Sequence, residues 1–198
     1  MAISPSMLRR VEVVRMELCS PIRIRKRREW EDEAITIIEG SLGRLDKDAI
    51  REIIELLDSD VQDEKITKRR FGPMFTGNNK KRILKNPIDL LNELFIRIYQ
   101  EEDIDAADEL IEKLDGVGQG FVSCLLYLKN RDRYNVMSPR LIEGIEIIFK
   151  TDIPRSGSFR ERYEVFNELA NTLRQKCGLE PQEVDLVLWA IAKGRGRP

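Results

Sequence analysis

A chain of 198 residues is long enough to bury a substantial hydrophobic core as one or two domains. Its apolar fraction of 41% is that of a folded protein. Its charged fraction of 35% exceeds the usual quarter and resembles thermophile compositions, in which surface ion-pair networks gain value with temperature. The formal net charge of -1 excludes a uniformly basic nucleic-acid coat. With no histidine, Ser-His-Asp and Cys-His nucleophile systems and a histidine general base are excluded as well. Three scattered cysteines, Cys19, Cys124 and Cys177, form neither a disulfide framework nor a zinc or iron-sulfur spacing. No segment approaches the about 20 apolar residues of a membrane span, and residues 1–18 lack the apolar core of a signal peptide. The expectation is a cytoplasmic protein without a membrane partner.

In chain order, residues 7–18 form a mixed apolar and basic first helix, broken at Cys19-Ser20-Pro21 because proline restricts the residue before it. A basic run, Arg23, Arg25, Lys26, Arg27 and Arg28, follows and reads either as a nucleic-acid arm or as a solvated turn. Trp30, Ala34, Ile37 and Ile38 have helical spacing over 29–39, with Gly40 as the stop. Asp46 is an expected N-cap for a helix whose stripe is Ala49, Ile50, Ile53, Ile54 and Leu57. From 65 to 85 there are eight Lys or Arg and no acid, interrupted by the turn signals Gly72-Pro73 and Gly77-Asn78-Asn79. Asn86-Pro87 predicts the start of another helix, buried through Leu90, Leu91, Leu94, Phe95 and Ile98. The acids of 101–108 suit a linker or a helix N-terminus, where the helix dipole favours negative charge. Helices are expected at 139–149, at 159–176 with Gly178 as the C-terminal cap, and at 181–193. Strand alternation is absent from this reading. The fold class expected is an all-α, multi-helix globule, divided coarsely into an N-terminal lobe, 1–100, carrying the basic loop, and a C-terminal lobe, 101–198.

The most informative segment is 111–128, IEKLDGVGQGFVSCLLYL. An apolar helix end at Ile111 and Leu114 meets Gly116-Val117-Gly118, and a second helix carries Val122, Leu125, Leu126 and Leu128 inward. Glycines allow conformations that a Cβ penalises and let the backbone approach a phosphate. Free amides near Gly118, Gln119 and Gly120, at the start of the second helix, favour an anion. This pattern resembles the helix-hairpin-helix superfamily, and in particular the frame of the helix-hairpin-helix DNA glycosylases. The resemblance implies sequence-independent contact with the DNA phosphate backbone, duplex in preference to single-stranded, through Gly116, Val117, Gly118, Gln119 and Gly120. It also implies a monovalent cation at the carbonyls of Leu114 and Val117, with no other cofactor and no metal.

Two departures bear on catalysis. The lysine of the lyase-type members would stand at Gly120, and the family's aspartate would fall near Met137, which cannot ionise. The resemblance therefore implies a glycosylase frame without its chemistry, and the catalytic residues are unknown. Asp132, Asp152 and Asp185 are the candidates for a displaced carboxylate, and Tyr127 and Lys129 for cleft-lining groups. The opposing reading of Asp185 is a salt-bridged helix residue. Lys129, Arg131, Arg133 and Arg140 follow the hairpin and are candidates for the same DNA strand, and Lys68, Arg69, Arg70, Lys80, Lys81 and Arg82 for further phosphates. Phe71 and Phe75 read as core anchors rather than base-stacking groups. Asp63-Glu64-Lys65 has the acid-x-Lys form of a metal-nuclease element but lacks its flanking residues. Three functions follow, in order: a catalytically degenerate DNA-binding protein of the repair-associated glycosylase frame, a base-excision glycosylase with displaced residues, and a protein-interaction module with a purely structural hairpin.

Overall fold

A computed structural model describes residues 3–62, 65–68, 70–71, 74–75 and 77–194. Its helices are α1 (Pro5–Leu18), α2 (Pro21–Ser41), α3 (Lys47–Asp58), α4 (Gly77–Lys85), α5 (Ile88–Leu94), α6 (Ala107–Lys113), α7 (Gln119–Lys129), α8 (Pro139–Phe149), α9 (Phe159–Cys177) and α10 (Pro181–Ala192). The all-α class stands, with one addition. Strands β1 (Ser59–Gln62) and β2 (Lys65–Lys68) pair antiparallel, Ser59 opposite Lys68 and Gln62 opposite Lys65. Four residues per strand, with charged or polar side chains at six of the eight positions, give too little alternation to read from sequence.

Local chemistry explains most helix starts. Ser4, Ser20, Asp46, Ser138 and Ser158 each accept a backbone N–H of the first turn, and proline stands just after the cap in α1, α2 and α8. Gly178 closes α9 at φ +60°, where a Cβ would be strained. Two boundaries differ from expectation. The basic run 23–28 is helical, inside α2, and Gly40 lies within the helix rather than after it. Asn86 does not cap α5, whose cap position is Pro87. Its side chain bonds elsewhere, as described below.

One apolar core takes residues from Ile3 and Val11 to Val187 and Ile191, on both sides of residue 100. α10 packs along α8 and also against α1 and α2, while α7 lies on the π-helical segment Phe95–Gln100. At the α8–α10 crossing a Cβ on Gly144 would stand 2.4 Å from the Leu188 carbonyl oxygen, so these backbones touch. Phe71, Phe75, Phe121 and Phe95 form an edge-to-face chain with centroids 5.6–6.2 Å apart, which makes both early phenylalanines core anchors. Among the described residues no helix is long and apolar enough to cross a membrane.

Candidate functional site

Residues 107–129 form helix α6, a turn and helix α7. Gly116 has φ +77°, and a Cβ there would lie 3.0 Å from the Arg82 Cβ and 3.1 Å from the Asn79 carbonyl oxygen. The turn therefore needs glycine twice over, for its backbone and for its close approach to α4. Val117 is buried between the helices, and its amide donates to the Leu114 carbonyl at 3.3 Å.

The turn is held from outside by α4. Asn79 Nδ2 donates to the Gly116 carbonyl at 3.0 Å. Asn86 bonds Asp115 twice, donating to its carbonyl at 2.8 Å and accepting its amide at 2.8 Å. Arg82 Nε donates to the Asp115 carboxylate at 2.9 Å and holds that carboxyl below its ordinary pKa. A cation at the Leu114 and Val117 carbonyls would compete with the Val117 amide for the first oxygen.

α7 starts differently from the serine-capped helices. Its N-cap is Gly118, in extended backbone, with no side chain to cap the first turn. A Cβ at Gly118 would meet nothing within 4 Å. Gly118 O accepts the amides of Phe121 and Val122, whereas the amides of Gly118, Gln119 and Gly120 have no acceptor among the described residues. Gln119 Oε1 accepts from Arg162 of α9 at 3.1 Å. Gly120 departs from expectation. It is buried, with Met74 over it and the Met137 carbonyl nearby, so its lack of a side chain serves packing. Met137 is buried too.

The other predicted cations divide sharply. Lys80, Lys81 and Arg82 lie on α4, beside the turn, so that basic segment and the hairpin are neighbours. Lys80 is paired with Glu55 at 2.9 Å. Lys81 is exposed, with no carboxylate partner among the described residues. Arg140 is the second residue of α8, and it pairs with Glu143 at 2.6 Å; Met137, two residues before that helix, donates its amide to Ser123 of α7. Lys129, Arg131 and Arg133 stand at the opposite end of α7, about 15 Å away at 1.5 Å per residue over its 11 residues. There Lys129 lies over the Tyr99 ring, Arg131 pairs with Glu31 and Asp32, and Arg133 pairs with Glu102. They are not part of a surface around the turn. Lys68 belongs to β2, but its side chain, Arg69, and the Asp63-Glu64 pair lie outside the described residues.

Arg70 is the clearest correction. Its side chain is 2% exposed, so it faces the protein and not a ligand. It donates to Glu31 at 2.6 Å and to Asp185 at 3.4 Å. Both belong to a buried polar network. Arg27 forks onto Asp60 at 2.9 and 2.7 Å and reaches Asp185 at 2.9 Å and the Gln182 carbonyl at 3.0 Å. Arg23 forks onto the same Asp60 carboxylate. Glu31 also accepts from Tyr127, Gln182 and Arg131. Arg23, Arg27, Arg70 and Arg131 thus face Glu31, Asp32, Asp60 and Asp185, four charges of each sign. Burial opposes the charge on Asp60, but hydrogen bonds from Arg23 and Arg27 outweigh it and hold its pKa well below the carboxylate range. Burial, with Glu31 alongside, pushes the Tyr127 phenol far up, and chiefly burial, opposed in part by Arg70, does the same to the Cys124 thiol.

Asp185 and Tyr127, both candidates for chemistry, are therefore committed to holding α2, α7 and α10 together. Asp132 and Asp152 are exposed, Asp132 opposite Arg174 at 3.6 Å. No group of three or more His, Cys, Asp or Glu among the described residues is arranged around a metal site.

Because Asp60 has a folded pKa below its unfolded value, its contribution to stability is complete above about pH 4 and is lost as pH falls through the folded value. Asp60→Asn should therefore flatten the acid limb of a stability-against-pH curve below pH 4. An unchanged limb in that variant would assign the acid sensitivity to other carboxylates.

Sequence reasoning missed Asn79, Asn86 and Arg162 at the turn and Arg27, Glu31 and Asp60 in the network. A signal existed for two of these. Ile24, Arg27, Glu31, Ala34 and Ile38 lie at the 3-4 spacing of one buried stripe, so Arg27 and Glu31 occupy core positions. Comparison with models of protein families, with curated proteins and with solved structures finds no match.

Proposed function

We propose that this protein binds DNA through the phosphate backbone, using residues 107–129 as a helix-hairpin-helix, and that it does so without base excision. The observation that carries this reading is the uncapped start of α7. Gly118 leaves open space where five other helices place a capping side chain, and the amides of Gly118, Gln119 and Gly120 have no acceptor among the described residues. An anion satisfies such amides and gains from the helix dipole. The basic edge of α4 alongside favours a polyanion, and backbone contacts of this kind discriminate little between sequences. Duplex is the favoured form.

Catalysis is left out on chemical grounds. Gly120 and Met137, which stand where the resembling enzymes carry their lysine and aspartate, offer no ionisable group, and Asp185 is enclosed by arginines. The test is fluorescence anisotropy with labelled duplexes of two unrelated sequences over a salt series. Wild type should bind both alike, with log K falling linearly against log salt. Gly118→Glu, which sets a carboxylate in front of the free amides, should weaken binding at least tenfold with its helical circular dichroism unchanged. Equal binding by the variant, a flat salt response or no binding by wild type would overturn the proposal.

A further inference from the structure

Resting on that reading, we propose that the edge of α4 beside the turn extends the phosphate site along one strand. Lys81 and Lys85 take phosphates there, and Asp115 sets the affinity by holding Arg82 away from the DNA.

Along α4, Asn79 and Arg82 are three residues apart, and Asn86 follows four later; all three reach the turn. Ile83 points into the core, and Lys80 points toward Glu55 of α3. At 100° per residue, Lys85 falls next to the turn-facing row on the side away from Ile83, and Lys81 falls one step further round. Both are exposed and one helical turn apart, a few ångströms between Cβ atoms. Neither forms a salt bridge among the described residues, whereas Lys80 and Arg82 do, although Lys85 lies close enough to Asp115 to help hold that carboxyl's pKa down. The lysines of α4 without a salt bridge thus run from the border of the turn, at Lys85, outward to the solvent face, at Lys81.

Position relative to the free amides completes the argument. Gly116 touches Arg82 and Asn79, and Gly118 is two residues on, within about 7 Å of chain. Across α7's start, Arg162 lies against Gln119 and, among the described residues, bonds uncharged acceptors, Gln119 Oε1 and the Ser158 carbonyl. Basic groups therefore flank the open amides on both sides. The one carboxylate in the turn itself, Asp115, is matched by Arg82, each side chain being 56% exposed. An exposed pair of this kind is weak and screened by salt, so a phosphate can compete for the guanidinium. Removing the Asp115 charge leaves the Asn86 bonds intact, because those use the Asp115 backbone.

The experiment is the same anisotropy salt series on the full chain, with Lys81→Gln/Lys85→Gln, Asp115→Asn and Gly118→Glu compared with wild type. Each phosphate contact adds about 0.9 to the salt slope on duplex DNA. The double lysine variant should lose up to about 2 in slope and bind several-fold more weakly to every sequence. Asp115→Asn should bind several-fold more tightly, with a slope steeper by up to about 1, a gain that a merely structural carboxylate would not produce. If the lysine variant keeps the wild-type slope, or Asp115→Asn binds no better than wild type, the α4 footprint is overturned, and Gly118→Glu still decides the hairpin reading separately. If wild type itself does not bind, both fall together. Lys81, Lys85 and Asp115 are exposed and a Cβ at Gly118 meets nothing within 4 Å, so loss of fold does not intervene.

Discussion

Replacing Arg27 with alanine should cost about 3–5 kcal/mol of folding stability, the largest effect expected of any single substitution outside the apolar core. The side chain is 1% exposed, and it neutralises two buried carboxylates, Asp60 and Asp185, on different elements. Truncation leaves Asp185 with only the longer contacts to Arg70 and strips Asp60 of one of its two guanidinium forks. The penalty is chiefly that of carboxylates left buried without their partner rather than the net worth of the ion pairs. Arg28, one residue along and half exposed, pairs with Glu180 on the surface, and Arg28→Ala should cost less than 1 kcal/mol. Urea denaturation of the two variants measures the contrast. Similar midpoints would show that the network carries little of the fold. Arg27→Met tests the mechanism further: it restores volume without charge, and if it is as damaging as alanine, the unpaired carboxylates and not a cavity are responsible.

Gly144→Ala should be nearly as damaging, for a steric reason. The new Cβ would sit 2.4 Å from the Leu188 carbonyl oxygen and 2.9 Å from its carbonyl carbon. Those atoms are backbone in the middle of α10, so no rotamer change relieves the clash, and the two helices must separate. Overpacking of this kind costs about 1–3 kcal/mol, and rather more when backbone has to move. Alanine's better helix propensity offsets at most about 1 kcal/mol of that. Gly40→Ala is the matched control, because Gly40 is also helical but its Cβ would meet nothing within 4 Å. It should stabilise the protein by about 0.5–1 kcal/mol. Thermal midpoints moving in opposite directions are the expected result; a neutral Gly144→Ala would show that α8 and α10 have room to part.

How much of this was legible beforehand depends on the range of the interaction. Asp46, the helix start at Pro139 and Gly178 could be placed because such signals act between residues at most three or four apart. The helical periodicities of 159–176 and 181–193 could be read for the same reason, and the buried residues Tyr163, Phe166, Val187 and Leu188 follow them. Residues 23–28 were ambiguous because a run of arginines looks alike on an exposed arm and on a helix whose partners are distant. The carboxylates that draw Arg23 and Arg27 inward lie 33 to 158 residues away. Arg70 was misplaced on the same account: its charge suggested phosphate, while its partners are Glu31 and Asp185, 39 and 115 residues distant. At the turn, the glycine pattern identified the segment, but not that Gly120 would be filled by Met74. Nor could it show that Asn86 would forgo capping α5 to bind Asp115.

The reach of the Arg27 network has a consequence for synthesis. Arg27 finds Asp60 after 33 further residues but Asp185 only after 158. At 5–20 residues per second, the second partner is made about 8–30 s after the arginine. During that interval α2 carries a core position that is charged and half-matched, and α8 lacks the helix it packs along. The growing chain can collapse locally around α2, α3 and β1, but it cannot seal its centre until α10 has been released from the ribosome. A ribosome stalled short of residue 185 would thus display a partly open, protease-sensitive intermediate, and completion of the last helix would act as the latch.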